Sequence, residues 1–334
     1  MFCPEMEEKK LYPLKFCVLQ DDYVWGTEEF LMADLGYRDS LVRSGWLAGN
    51  SIGELMDTYF DRIPGERAYD FYGRQFPLSV RRLKVRGRMP LRVSPGDEIA
   101  GQRYDLLGKE KLWYVLRAGK DARIAAGFRR DCDASEFYAA CEDGSVENLL
   151  NLVAPYAGQS LLIPSGTPHA AFGDLEILEI GESSPLDFCL CGWGEEVSDE
   201  EFDPALSVVD ALDFINYARF STIHASGDRL AALPQFIVDK MSLPEAVRVR
   251  CGEDNPFTIC CCVSGAFSVQ TLDGAAPADF PVEKGEVILV PAECEDFALV
   301  PKDRDTLLLC ATVDRVEPDK YINPDAEATL PEEE

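Results

Sequence analysis

Two stretches of the chain decide its fold: AGQSLLIPSGTPH at residues 157–169 and EKGEVILVPAE at residues 283–293. Each stretch contains a glycine turn, an apolar run of strand length, and a proline followed by a small residue. A phrase that returns at matching places in the two halves of a chain indicates a duplicated unit. The sequence therefore predicts two small barrels in series.

Short apolar or alternating runs bounded by Gly, Pro, Asn and Asp occur along the rest of the chain. This pattern is typical of all-β barrels and sandwiches rather than of βαβ units. The predicted strands with the clearest pattern are residues 112–116, 160–163, 176–180, 257–263, 287–290 and 306–310.

Helical patterns are local. Residues 134–141 and 146–153 read as two short helices inserted between strands of the first half. A third helix is predicted to begin at Asp203-Pro204, where a plausible N-cap precedes a proline at the first helical position. The predicted organisation is an N-terminal barrel domain at 1–200 with a helical insert at about 133–153, a helical linker at 201–232, a C-terminal barrel domain at 233–323 and a disordered tail at 324–334.

Composition limits the classes of partner. The chain has 334 residues, and its 32 Lys+Arg against 60 Asp+Glu give a formal charge of -28. Such a charge repels nucleic acid and anionic membrane surfaces, so neither is an expected partner. No stretch reaches the roughly 20 apolar residues of a membrane span, and the first residues lack a signal-peptide pattern, so a cytoplasmic location is expected. The 12 cysteines are scattered and are interpreted as reduced thiols. The oligomeric state stays open.

A series of further phrases follows in a fixed order along nearly the whole chain. They are YPLKF at 12–16 with WG at 25–26, LAGNSIGEL at 47–55, FPLSVRRL at 76–83, LRVSPGDEIA at 91–100, GKEKLWYVL at 108–116, IPSGTPHA at 163–170, LEIGESS at 178–184 and ALSVVDALDFINY at 205–217. In this order and spacing they resemble the type I phosphomannose isomerase family of the cupin superfamily. The resemblance implies a mainly β fold of two cupin (jelly-roll) barrels with a few inserted helices. It also implies interconversion of mannose 6-phosphate and fructose 6-phosphate with a zinc-type divalent metal.

The residues that the resemblance assigns to the metal site are mostly replaced. The family takes its ligands from a Q-or-K-V-H-P phrase, from the glutamate of a GKTE phrase and from the histidine of a PSGT-x-H phrase. In this chain Ser94 stands at the first histidine, with Arg92 at the Gln/Lys position, and Lys111 stands at the glutamate. His169 is the one family ligand that remains, and Cys189 stands where the family has an active-site arginine.

These replacements change the chemistry that the site favours. Zinc is bound by neutral imidazole, thiolate and carboxylate, whereas Lys111 brings a cation and Ser94 a poor neutral ligand. A histidine facing Arg92 and Lys111 is better suited to an anion than to a metal. We therefore predict an anion pocket lined by Arg92, Ser94, Lys109, Lys111 and His169, with no metal cofactor. Lys109 matches a lysine of the family and is the candidate catalytic or phosphate-binding residue.

Other interpretations of these residues remain open. A one-residue slip would turn Glu110 inward in place of Lys111 and rebuild a zinc site. Arg92 and Lys111 would close structural salt bridges if Glu98 or Glu179 lies beside them. Independently of these, His169 would only hydrogen-bond a backbone carbonyl at the barrel mouth instead of contacting a ligand or ion. The basic stretch at residues 81–92 is interpreted as a solvated strand face.

Three functions follow from these alternatives. The first is a mannose-6-phosphate isomerase-like protein of carbohydrate metabolism that binds a sugar phosphate or another small anion and has lost its metal ligands. The second is an active metal-dependent mannose-6-phosphate isomerase, an aldose-ketose isomerase with a rebuilt zinc site. The third is a scaffold or regulatory double cupin. Whether the chain is an enzyme stays open at this point.

Overall fold

The fold is taken from a computed structural model, which describes residues 9–194, 208–221, 227–250, 256–272 and 278–313. The predicted helix start at Asp203-Pro204 and the predicted tail at 324–334 lie outside these residues. The strands of the described part are β1 Leu19–Tyr23, β2 Gly26–Met32, β3 Leu78–Val85, β4 Leu91–Val93, β5 Lys111–Ala118, β6 Arg123–Phe128, β7 Leu150–Val153, β8 Ser160–Ile163, β9 His169–Phe172, β10 Leu175–Glu182, β11 Phe188–Cys191, β12 Arg229–Ala232, β13 Ile237–Ser242, β14 Val247–Arg250, β15 Thr258–Ser264, β16 Ala266–Thr271, β17 Ala278–Glu283, β18 Val287–Val290, β19 Asp296–Pro301 and β20 Leu307–Thr312.

Helices are few and short in the described residues. Two 3₁₀ turns, Phe60–Arg62 and Val146–Asn148, accompany them. No helix of the described ranges has the length and apolar character that crossing a bilayer requires. The helices are α1 Ile52–Tyr59, α2 Glu66–Tyr72, α3 Asp97–Tyr104, α4 Ala134–Glu142 and α5 Val208–Ala211.

The strands form two pairs of antiparallel sheets. The first pair uses β1 to β11, in the orders β1-β2-β3-β10-β5-β8 and β11-β4-β9-β6-β7. The second pair uses β12 to β20, in the orders β12-β13-β20-β15-β18 and β14-β19-β16-β17. This architecture confirms the prediction of a mainly β, cupin-like fold. The end of the expected helical linker was wrong, because Arg229–Ala232 is strand β12, which buries Leu230 and Ala231 and pairs with β13.

The helical predictions were partly correct. Helix α4 confirms the first inserted helix, and the side chain of Asp133 caps it by accepting a hydrogen bond from the Glu136 amide. The second was wrong, because β7 occupies the end of the predicted range and pairs with β6. The edge of β6 gains hydrogen-bond partners in this way, and that gain outweighs local helix propensity. The phrase at 47–55 contains a signal for α1, since Ser51 and Glu54 form a capping box.

The two barrels share one apolar core. Leu178 of the first barrel and Leu309 of the second belong to the same buried cluster. The backbones of Leu14 and Leu289 exchange hydrogen bonds of 2.7 and 2.9 Å, which joins the N-terminal segment to β18. Burial of this apolar surface holds the barrels against each other.

Strand register places polar side chains inside the first barrel. Trp113 lies opposite Glu179, Glu179 lies opposite Arg81, and Arg81 lies opposite Phe30. Directly opposed residues of antiparallel strands project to the same face. Trp113 belongs to the same buried cluster as Ile124 of β6 in the facing sheet, so this row faces the barrel interior and carries Arg81 and Glu179 inward.

We expect Gly181→Ala to destabilise the fold by about 1–3 kcal/mol, the range for overpacking. Gly181 lies opposite Lys111, and a Cβ there would come within 2.8 Å of the Glu110 carbonyl oxygen and 3.0 Å of the Lys111 Cβ. The free energy of unfolding in urea measures the effect. Gly101→Ala in α3 is the control, because a Cβ there meets nothing within 4 Å and a helical alanine should stabilise by about 0.5–1 kcal/mol. Equal stability of Gly181→Ala and wild type would contradict this account of the β5–β10 contact.

Candidate functional site

The ammonium group of Lys111 lies at the centre of the candidate site. Its Nζ lies 3.0 Å from the Ser94 Oγ, 3.1 Å from the His169 Nε2 and 2.9 Å from the Asp187 Oδ1. An ammonium has three N–H donors, so these three contacts satisfy it. The structure therefore brings Ser94, Lys111 and His169 together, and Lys111 lies where the other two side chains converge.

His169 is held in one tautomer. Its Nδ1 lies 2.9 Å from the carbonyl oxygen of Thr167, which can only accept a hydrogen bond. Nδ1 therefore carries the proton and donates, and Nε2 presents its lone pair to Lys111. Burial, together with the Lys111 charge, lowers the pKa of His169 to about 3, so the ring is neutral. Trp113 meets this ring edge-on at a centroid distance of 5.4 Å.

Asp187 joins the two lysines of the site. Its Oδ1 accepts hydrogen bonds from Lys111 and, at 2.6 Å, from the Ser94 Oγ. Its Oδ2 accepts from the Nζ of Lys109 at 2.6 Å and from the guanidinium of Arg81 at 3.3 Å. These cations hold the pKa of Asp187 well below its ordinary value despite burial, so the carboxylate is ionised. No motif in the sequence indicates this role of Asp187.

A second ion-pair group adjoins Asp187. The Arg81 guanidinium donates through Nε to Glu179 at 2.8 Å and through Nη1 to Glu28 at 2.5 Å. The remaining Glu179 oxygen accepts from the Trp113 indole N–H at 2.7 Å. All four side chains are buried. Arg81 thus departs from the predicted solvated strand face.

Arg92 lies at the edge of the cluster. It is opposite His169 on β9 and opposite Cys189 on β11, so these three residues share one face of the second sheet. Its Nη1 lies 3.8 Å from a Glu28 oxygen, and its guanidinium stands 5.7 Å from the centroid of the Trp25 ring. Nearby Glu28 raises the pKa of Arg92 despite desolvation.

The salt-bridge partners expected for these cations were wrong. Lys111 pairs with Asp187 and Arg92 approaches Glu28, whereas Glu179 pairs with Arg81. Both cations thus lie beside carboxylates, but not beside the carboxylates that the sequence suggested.

The described members of the cluster include more cations than carboxylates. Because His169 is neutral, four cations face three carboxylates among the described members of the cluster, in a protein of charge -28. The side chains of Asp187 and Arg92 are 12% and 11% exposed, whereas those of both lysines are 1% exposed. Solvent therefore reaches the cluster at Asp187 and Arg92. The members are Arg81, Arg92, Lys109 and Lys111, with Glu28, Glu179 and Asp187.

These donors do not fit a divalent metal. The only lone pair that His169 offers points at an ammonium 3.1 Å away, and that cation would repel a second one. Glu110 does not replace the missing carboxylate, since it accepts hydrogen bonds from the Ser165 amide at 3.1 Å and the Ser165 hydroxyl at 2.6 Å. Across the described ranges, no three His, Cys, Asp or Glu side chains converge on a point that would hold a metal ion.

The chain has recognisable relatives, although no family model matches it. It is 23% identical over 317 residues to the mannose-6-phosphate isomerase ManA of Bacillus subtilis, an alignment that covers 86% of this chain and 95% of that protein. The crystal structure of the mannose 6-phosphate isomerase from Bacillus subtilis matches with a TM-score of 0.75 at 20% identity, over 90% of this chain and 99% of that one. A zinc-bound crystal structure of a mannose 6-phosphate isomerase matches with a TM-score of 0.67 at 11% identity, over 90% and 99% of the two chains.

We expect the combination of Ser94→His and Lys111→Glu to create zinc affinity that the wild type lacks. The two changes remove the buried ammonium and add an imidazole and a carboxylate beside His169. At free zinc of about a hundred times Kd, the double variant should gain about 2.7 kcal/mol of stability, which a chelator should remove. Zinc content and thermal melting with and without chelator measure this. Glu110→Gln is the matched control. A wild type that contains zinc and loses it in the Glu110→Gln variant would show that Glu110 rebuilds the metal site.

Stability should fall in acid more steeply in the wild type than in His169→Gln. The native pKa of about 3 lies below the ordinary 6.5, so between these values the unfolded state binds a proton that the native state excludes. This stabilisation is present above pH 6.5 and is lost as the pH falls toward 3, at up to about 1.4 kcal/mol per pH unit. Urea unfolding at pH 7 and pH 5 should show a difference between the two proteins of about 1–2 kcal/mol. Parallel profiles would indicate that the pKa of His169 in the native protein stays near its ordinary value of 6.5.

Proposed function

We propose that this chain, which resembles the type I phosphomannose isomerases in sequence and shares their fold, is a mannose-6-phosphate isomerase-like protein that binds a sugar phosphate without a divalent metal. The observation that supports this most is the position of the Lys111 ammonium among Ser94, His169 and Asp187. In this proposal the Lys111 ammonium supplies the positive charge that a metal ion would otherwise supply.

Lys109 is the residue that would bind the phosphate. Among the described residues its Nζ has one hydrogen-bond acceptor, Asp187, although the side chain is 1% exposed. This buried ammonium thus depends on a single acceptor in the described part of the chain, and oxygens of a ligand can take over that contact. Burial lowers its pKa to about 8, so it stays mainly protonated at neutral pH. Arg92, at the exposed edge of the cluster, would supply a second cation.

The same residues give little support for catalysis. Aldose-ketose isomerisation needs a base that moves a proton between two carbons and a dipole or cation that stabilises the enediolate. The family's arginine position is Cys189, and the three donors of Lys111 are already used. We therefore expect the protein to bind a sugar phosphate and to show no metal-dependent turnover.

Calorimetric titration with mannose 6-phosphate tests the proposal. The wild type should bind, and Lys109→Met should bind at least about tenfold more weakly because a charge-assisted contact is lost. Lys120→Met is the control, since Lys120 is an exposed turn lysine, and its affinity should match that of the wild type. An isomerase assay on the same samples should show no activity that a chelator removes.

Each contrary result selects an alternative. Turnover of mannose 6-phosphate that stops on chelation would establish the active, rebuilt isomerase. Absence of binding together with absence of turnover would favour the scaffold or regulatory double cupin.

A further inference from the structure

We propose that Asp187 is an internal competitor for the anionic group of the ligand. In the free protein its carboxylate occupies the position on Lys109 that a phosphate oxygen takes in the complex. This inference rests on the proposed function, because it assigns the residue that controls ligand affinity at that same site. It names Asp187 as a specificity-determining residue.

The contacts of Asp187 resemble those of a bound anion. Its two oxygens accept hydrogen bonds from four different side chains, namely Ser94, Lys109, Lys111 and Arg81. Three of these donors are cations, and a phosphate group is bound by the same types of donor. Within the described ranges, Asp187 is the one carboxylate that hydrogen-bonds to the lysines of the cluster.

Among the carboxylates of the cluster, Asp187 has the position from which a ligand can displace it. Glu28 and Glu179 project from the middle of strands β2 and β10, and their side chains are 4% and 3% exposed. Asp187 directly precedes β11, and its side chain is 12% exposed above two lysines that are 1% exposed. A ligand that approaches Lys109 from solvent therefore meets the Asp187 carboxylate first.

Displacement of Asp187 by a ligand would affect Lys109 and Lys111 differently. Lys111 keeps Ser94 and His169 as acceptors if Asp187 moves, whereas Lys109 has no other acceptor among the described residues. A ligand oxygen on Lys109 would thus replace the contact that Asp187 gives up. Removing the ammonium's counter-ion without replacement is costly in a buried site. A phosphate dianion can replace Asp187, and a neutral sugar cannot, so the competition selects phosphorylated ligands.

Asp187→Asn tests the inference, with inorganic phosphate and mannose 6-phosphate as the titrated probes. The variant keeps the side-chain shape and removes the competing charge, so it should bind inorganic phosphate at least about tenfold more tightly than the wild type. Asp174→Asn is the charge-matched control, because Asp174 is an exposed residue paired with Arg117, and its affinity should stay within about twofold of the wild type.

The possible results separate this inference from the proposed function. Equal or weaker phosphate binding by Asp187→Asn, while the wild type binds mannose 6-phosphate, would overturn the role of Asp187 and leave the function standing. Failure of the wild type to bind mannose 6-phosphate, with tight phosphate binding by the variant, would overturn the proposed function alone.

Folding of the variant is controlled by thermal melting. Loss of the carboxylate leaves buried cations uncompensated, so Asp187→Asn and Asp187→Ser should melt lower than the wild type without phosphate and recover as phosphate is added. Melting that phosphate does not change would count against the inference. If neither variant folds, a crystal structure of the wild type with phosphate decides the matter. Phosphate on Lys109 with Asp187 turned away supports the competition, and any other position contradicts it.

Discussion

The interior of the first barrel depends on one buried charge, the ammonium of Lys111. Transfer of such a group from water into a protein interior costs several kcal/mol unless charge and hydrogen bonds compensate it. Here Ser94, His169 and Asp187 supply three acceptors, and Asp187 supplies the opposite charge. Because Asp187 also accepts hydrogen bonds from Lys109 and Arg81, this single carboxylate joins the two buried lysines to the Arg81 ion pairs.

The second barrel has a different interior. Its buried cluster is apolar and includes Phe267, Val269, Leu299 and the thiols of Cys260 and Cys262. The charged cluster is thus a property of the first barrel, and the second contributes apolar surface to the shared core. We therefore propose that the first barrel binds the ligand and that the second supports it.

The strands and the convergence of the site residues were predictable, whereas the counter-ions were not. The phrase that ends at His169 fixes a strand and its turn, and the resemblance places Ser94 and Lys111 at the family's other two ligand positions. No spacing rule indicates which of 60 acidic residues balances a buried lysine, so Asp187 was missed. Arg81 could have been recognised as an inward-facing residue. It lies two and four positions before Leu83 and Val85, which are both buried, and residues at this spacing share one face of a strand. The prediction of a helix at 146–153 was wrong because hydrogen bonding to β6, which is distant in sequence, decides the conformation of this range.

The central claim is that an ammonium occupies the place of a metal, and a crystal structure of the wild type grown with zinc tests it most directly. Diffraction recorded at the zinc absorption edge locates any bound zinc, and a ligated ion would lie about 2.0–2.1 Å from the His169 Nε2. We predict no anomalous peak there and density for the Lys111 Nζ within hydrogen-bonding distance of that nitrogen. A zinc peak bonded to His169, with Lys111 turned away, would contradict the account.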